Sequence, residues 1–519
     1  MQRWSRLAGV LTGFWVIVAA CAPATSPSPG AAIQPTAPAV PQTLVVAIPT
    51  LPAVLDSMAN LGFNPRRYGL YEMLLGQQDD GSVEPLLATR WRTLDATTWE
   101  FTLDLSNRRF HDGTPVTAED IKFSWDRATN PEKRLGILSR LMTIREVQVV
   151  DPTTVRILTR EPDGLLLKRA AYVPIFPKAY LERVGDAEFG IRPIGSGPFK
   201  LKEWVPNDRL VLTGIPEHPT RPALRELTIR QVNEAATRVA GLRTGELDLI
   251  SQAPLDQVDS LKSQGFETVV INAGISNGFF MDPIISNAPT RDKRVRQAIN
   301  YAIDKEAIAK NIYRGYVRVD QGQVVQEETF GFNPNLKAYP YDPAKAKQLL
   351  AEAGYPTGFK VSMEVYNTAP EWPSVGLFVQ QQLRDIGIEA DLQVTTDAAA
   401  WLDHFYGRTP RPHLLSVGLQ ATPAMDADYA LVWFSGTQPL PLRHYDNQEF
   451  DRYYLPSRTE IDEAKRRLLL QQAIAVMHED PPFLFLTSAT QVWVFKKTVS
   501  GVTRRTDQEP KFENVRRTG

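Results

Sequence analysis

His111-Asp112-Gly113 is the part of this 519-residue chain that comes closest to catalytic machinery. A histidine beside an aspartate could supply half of a charge relay, but sequence neighbours rarely face one another. No G-x-S-x-G elbow stands elsewhere to provide a nucleophile. Asp112-Gly113-Thr114-Pro115 has instead the composition of a turn. None of the six histidines falls in an H-E-x-x-H spacing. His404 and His413 lie in a Pro- and Arg-rich stretch that suits a surface or cleft better than a metal centre. Gly195-Ser196-Gly197-Pro198 lacks the Lys-Ser/Thr pair of a phosphate loop, and its proline removes an amide donor. Asp426 and Asp428 could do acid–base work, or share one face of a strand or a solvated loop. Catalytic residues, metal ligands and cofactors are therefore all expected to be absent.

The thiol has a different setting. Cys21 is the one cysteine, so it cannot form an internal disulfide. Arg3 and Arg6, an apolar run from Leu7 to Val18, and the small residues Ala19 and Ala20 precede it. That layout predicts a secretory signal peptide over 1–20, shorter in its apolar part than the ~20 residues of a spanning helix. Val18-Ala19-Ala20-Cys21 resembles the bacterial lipobox, whose cysteine takes a diacylglyceryl thioether and becomes the first residue after cleavage. Ala22 to Pro41 is rich in Pro, Ala, Ser and Thr and has no charged residue, which predicts an extended tether over 21–41. The body is expected to be lipid-anchored on the extracytoplasmic face of a bacterial membrane, in the periplasm or at the cell surface.

The elements that would position any site are legible. Length calls for at least two domains. The composition is 43% hydrophobic and 23% charged, and a formal charge of −1 offers no basic footprint for nucleic acid. Thr43 to Ile48 reads as a strand, and Trp99, Phe101, Leu103 and Leu105 alternate with polar residues. Asp151-Pro152-Thr153-Thr154 punctuates a hairpin between Val147–Val150 and Val155–Leu158. Thr117, with Asp120 at the capping-box position, starts a helix whose Ile121, Ser124, Trp125 and Ala128 share a face. Val295, Ala298, Ile299, Ala302 and Ile303 make another stripe. Asp342-Pro343 opens a helix that Gly354 closes, and a helix through Leu383 ends near Gly387 before a strand over Ile388–Val394. Alternating helices and strands predict an α/β fold. The Gly-, Asn- and Ser-rich stretch Asn272–Asn287 reads as the boundary between two lobes, with a ligand cleft between them.

Five of these blocks, in order, resemble the family 5 extracellular solute-binding proteins, the oligopeptide, dipeptide and nickel receptors of ABC importers. The densest match is Trp91–Arg127, including Phe110-His111-Asp112-Gly113-Thr114-Pro115 and Val116-Thr117-Ala118-Glu119-Asp120. Ile194-Gly195-Ser196-Gly197-Pro198-Phe199, Leu242-Arg243-Thr244-Gly245-Glu246-Leu247-Asp248, the Arg294–Asp304 helix and Tyr341–Tyr355 follow. The resemblance covers about residues 43 to 503. It implies a two-lobed periplasmic-binding-protein-like fold of class II, cluster C type. Lobe 1 would comprise 42–81, 179–276 and 483–519, interrupted by an inserted subdomain at 82–178; lobe 2 would be 277–482. It further implies a monomer that captures a peptide-like or other small polar solute by a hinge motion and delivers it to the permease and ATPase subunits.

For the pocket, the resemblance implies Asn277, Phe279 and Phe280 near the crossover, Tyr366, Asn367, Trp401 and the loop with Thr422, Asp426 and Asp428. The aromatics would suit backbone-level or sugar-like stacking. Peptide-binding members place an aspartate, in a G-W-x-A-D-like run, against the ligand's amino terminus. Here the run is Gly418-Leu419-Gln420-Ala421-Thr422, with threonine at that position and Asp426 or Asp428 as substitutes. A free-amine peptide of the usual kind is therefore not expected. Two other readings remain open: a ligand-binding sensory or adhesion lipoprotein without a transporter, and a secreted hydrolase using His111 and a carboxylate.

Overall fold

The structure is a computed structural model that describes residues 42–59, 68–284, 288–421, 424–438, 442–503 and 511–518. The signal peptide, Cys21, the tether and Thr422 lie outside the described residues. Ten strands form one sheet, in the spatial order Ile388–Thr395, Phe359–Tyr366, Leu414–Gln420, Glu267–Met281, Phe483–Phe495, Leu249–Ile250, Thr43–Ile48, Glu226–Gln231, Arg209–Gly214 and Phe199–Val205. Its two longest members, Glu267–Met281 and Phe483–Phe495, are antiparallel partners at the centre.

The central pair carries the crossing. Glu267–Asn272 pairs with Thr490–Phe495, and Ser276–Phe280 pairs with Phe483–Ser488. Between the two blocks the register jumps, because Asn272 stands opposite Thr490 and Ser276 opposite Ser488. A bulge of this kind bends a strand and interrupts its ladder, which makes it the natural hinge. The stretch read from composition as a lobe boundary is thus mostly strand, to Met281. Pairing on both edges overrides the weak strand propensity of its glycines and asparagines.

Apolar residues layer the sheet by their period of two. Beyond the register break Phe279, Met281, Leu484 and Leu486 face one core, while Phe280, Phe483 and Phe485 face the other. In the first lobe Val239, Leu242, Val258 and Leu261 cover one face. The opposite face shares its core with a separate four-stranded sheet ordered Ala88–Asp95, Thr98–Leu103, Thr154–Thr159, Ile144–Asp151. That small sheet packs against the helix Ala118–Thr129. The helix opens with the expected reciprocal cap, in which the Thr117 hydroxyl accepts from Asp120 N–H and the Asp120 carboxylate accepts from Thr117 N–H. Asp342 caps Pro343–Glu352, and Gly354 and Gly387 take positive φ of 91° and 92° after their helices. Among the described residues no helix is long and apolar enough to cross a membrane.

Candidate ligand-binding site

Strand direction locates the cleft. Thr43–Ile48 runs parallel to Glu226–Gln231 and Leu249–Ile250, and all three point their carboxyl ends at the register break. In the second lobe Phe359–Tyr366 and Leu414–Gln420 are parallel to each other, and Gln420 ends opposite Ile275 at the same break. Ligands of open α/β sheets bind outside the carboxyl ends of strands.

On the first-lobe side Arg238 organises the rim. Its guanidinium donates to Val232 O at 2.7 Å, Asn233 O at 2.8 Å, Gln252 O at 3.0 Å and Ser251 O at 3.2 Å. These carbonyls belong to the turns after two parallel strands, so one buried side chain ties both turns together. Burial lowers its pKa. Gln252 sits at φ 49°, a conformation that costs a non-glycine residue energy and persists only where surroundings impose it.

On the second-lobe side Asn277 is half-buried, with Oδ1 lying over Gly418, where a Cβ would approach it to 3.1 Å. Tyr366 ends its strand, donates its N–H to Ser416 Oγ at 2.8 Å, and stacks on Trp401 with centroids 5.2 Å apart. Trp401 donates Nε1–H to Ser416 O at 3.1 Å, and Asn367 N–H reaches Thr395 O at 2.9 Å. These four residues keep half-exposed surface.

Four further expected site residues, Phe279, Phe280, Asp426 and Asp428, are committed elsewhere. Phe279 and Phe280 are 0% and 1% exposed: Phe279 meets Trp372 edge-on, and Phe280 stacks on His444 with centroids 4.0 Å apart. Strand alternation sends them into opposite cores, so they support the site without facing it. Asp426 is fully buried, and both its oxygens are held by Arg466, at 2.6 and 2.8 Å. Burial works to raise its pKa, but the guanidinium outweighs that and holds it below the usual carboxylate range. Asp428 Oδ1 accepts from Tyr454 OH at 2.9 Å and pairs with Arg458 at 3.1 Å. Asp426, with both oxygens engaged, is not left to receive a ligand ammonium.

Sequence reading missed Arg238 and Arg466. The signal was present, since Arg466, Leu470, Ala473, Ile474 and Met477 form one buried helical stripe with a charge inside it.

The lobes touch beside this loop. Gln77 Nε2 donates to Ala424 O at 3.3 Å, and Gly164 N–H donates to Arg458 O at 2.9 Å. Met425, at φ 53°, fits between two glycines: a Cβ on Gly81 would meet its Cβ at 2.3 Å, and one on Gly274 its Cε at 2.8 Å. At the hinge, Ser276 Oγ and Gln326 Nε2 both donate to Asp320, whose pKa burial raises to about 7.

His111 is a clamp. Its Nδ1 accepts Gly195 N–H at 3.2 Å, which leaves Nε2–H to donate to Gly197 O at 3.1 Å. Burial lowers its pKa to about 4, so it is neutral at pH 7. The turn it holds is pressed against Gly69 and Leu70, where a Cβ on Gly195 would lie 1.9 Å from Leu70 O. Among the described residues no cluster of three or more potential metal ligands occurs.

The family model for bacterial extracellular solute-binding proteins, family 5, matches residues 82–440. The chain belongs to this family. Its members are extracytoplasmic receptors of ABC importers, so the two-lobed fold here serves solute binding and delivery to a permease. This family 5 receptor is 28% identical over 461 residues to the glutathione-binding protein GsiB of Shigella flexneri, covering 86% of this chain and 88% of that one. Among solved structures it is similar to DppA from Helicobacter pylori in complex with peptide STSA, with TM-score 0.76 and 23% identity over 92% of this chain and 98% of that one. It is also similar to AgaA from A. tumefaciens R10 in complex with agropinic acid, with TM-score 0.74 and 25% identity over 92% and 99%. These relatives are binding proteins, not enzymes.

Proposed function

We propose that this chain is the lipid-anchored, monomeric receptor of an ABC importer for a small peptide-like solute of the glutathione type. The observation that carries the reading is the convergence of parallel-strand carboxyl ends from both lobes on one register break in the two crossover strands. The solute would contact Asn277, Tyr366, Asn367 and Trp401 on the second lobe and the Arg238-tied turns on the first. The relative named for glutathione supports a short peptide-like solute, and the Arg466 pairing of Asp426 argues against a ligand whose ammonium that carboxylate holds. Native mass spectrometry of the purified protein tests this: a copurified small polar solute is expected. A protein that carries none, and binds no short peptide by calorimetry, would overturn the reading. For the anchor, Cys21→Ser is expected to release the body from the membrane fraction; retention would refute lipidation.

A further inference from the structure

The strand ends that face away from the cleft carry an excess of positive charge, on a chain whose formal charge is −1. Thr43–Ile48, Glu226–Gln231 and Leu249–Ile250 start at this end, and the antiparallel Phe483–Phe495 finishes there. Gln42, where the body follows the tether in sequence, sits among them. Its carbonyl accepts Arg225 N–H at 2.7 Å, and its Nε2 donates to Arg517 O at 3.0 Å. Arg517 and Lys496 converge on Asp248, at 3.4 and 2.8 Å. Lys497 lies over the next turn, where a Cβ on Gly265 would be 3.8 Å from its Nζ. Arg243 reaches the same turn through Gln264 Oε1 at 3.0 Å, and Arg516 pairs with Ser500, three residues after Lys497. From Lys496 onward the sequence has seven Lys or Arg against three Asp or Glu.

Carboxylates on these strand ends and the loops joining them do not balance the cations. Asp248 is buried and spent on Lys496, Arg517 and the Val45 N–H. Glu226 is held by Lys202 and Glu246 by Arg230. Exposed Glu217 and Glu267 are matched in number by exposed Lys200 and Arg221. That leaves Arg225, Arg243, Lys497 and Arg516, all exposed and without an ion pair among the described residues. Like charges gathered at one end repel one another, and an anionic surface with mobile headgroups relieves that repulsion without a shaped pocket. We infer that this basic pole rests on anionic phospholipid headgroups, holding the anchored receptor with its cleft turned away from the membrane. This rests on the anchored reading above, because the tether joins the body at Gln42, inside the patch. A polybasic patch binds lipid weakly by itself and reinforces an anchor already present. The pose suits capture, and a reversible electrostatic contact lets the body lift off for delivery.

The chain from residue 21 carrying Cys21→Ser separates the pole from the anchor. It is sedimented with vesicles of phosphatidylcholine alone and of phosphatidylcholine mixed equally with phosphatidylglycerol. Binding to the anionic vesicles only is expected, and it should fall away as the screening length shrinks from ~30 Å at 0.01 M to ~3 Å at 1 M salt. Arg225→Gln, Lys497→Gln and Arg516→Gln should each weaken it about fivefold. Lys310→Gln, Lys347→Gln and Arg384→Gln remove equal charge from exposed positions on helices that share a core with Phe359–Tyr366. These three should leave binding unchanged, and all six variants should melt as wild type does. Equal binding to both vesicles, binding to neither, full binding by the pole variants or equal loss in the two sets would overturn the inference. The pole variants should keep the wild-type copurified solute. A wild type that carries no solute counts against the receptor reading, while the vesicles decide the pole.

Discussion

Asp426 shows how a residue's chemistry depends on what reaches it. The sequence offers a carboxylate near a ligand loop, and the fold delivers Arg466 to it, from forty residues away, as a bidentate partner. Arg466→Met should destabilise the protein by about 3–5 kcal/mol, because it strands a buried carboxylate. Asp426→Asn combined with Arg466→Met should cost less than Arg466→Met alone, as read by urea unfolding. His111 gives a pH signature. Its pKa lies at about 4 when folded against 6.5 for a free imidazole, so only the unfolded state gains a proton between them. Its contribution to stability is complete above pH 6.5 and is lost as pH falls toward 4; His111→Gln should flatten the melting temperature across that window. Asp320 behaves with the opposite sign. Raised from 3.8 to about 7, it contributes stability below pH 4 that is lost as pH rises through 7. Asp320→Asn should therefore raise the melting temperature relative to wild type mainly above pH 7.

Elements with a local cause were readable. The Thr117–Asp120 cap, the Asp342-Pro343 start and the Gly354 and Gly387 stops each follow from a side chain or a φ value within a turn or two. Thr117→Ala should cost about 1 kcal/mol in chemical denaturation. Asn272–Met281 was not readable as strand, since its conformation is imposed by Phe483–Ser488 and Leu414–Gln420, both distant in sequence. Likewise the Gly195 turn needs its glycine because of Leu70 O, a contact no spacing rule reveals. Gly195→Ala should lower the melting temperature even though most backbone conformations would accept alanine.

At the scale of the molecule, Gly81 and Met425 fit closely where distant parts of the chain meet. Gly81→Ala would drive a Cβ into Met425, and at φ 81° would strain the backbone as well. The variant should populate an open form, read as an increased radius of gyration in solution scattering that added solute only partly reverses; an unchanged radius would refute the latch. By itself the sequence determined the α/β class, the family, the Val147–Leu158 hairpin and the Thr117 cap, because periodicity, turn chemistry and ordered motifs are local properties. Of the pocket residues the resemblance implied, Asn277, Tyr366, Asn367 and Trp401 keep partly exposed surface. Only tertiary structure decided that Phe279 and Phe280 face cores, that Asp426 is spent on Arg466, and that Arg238 ties together the turns after two parallel strands. Whether a polar side chain is free for a ligand depends on partners tens of residues away, and burial and pairing are properties of the folded whole.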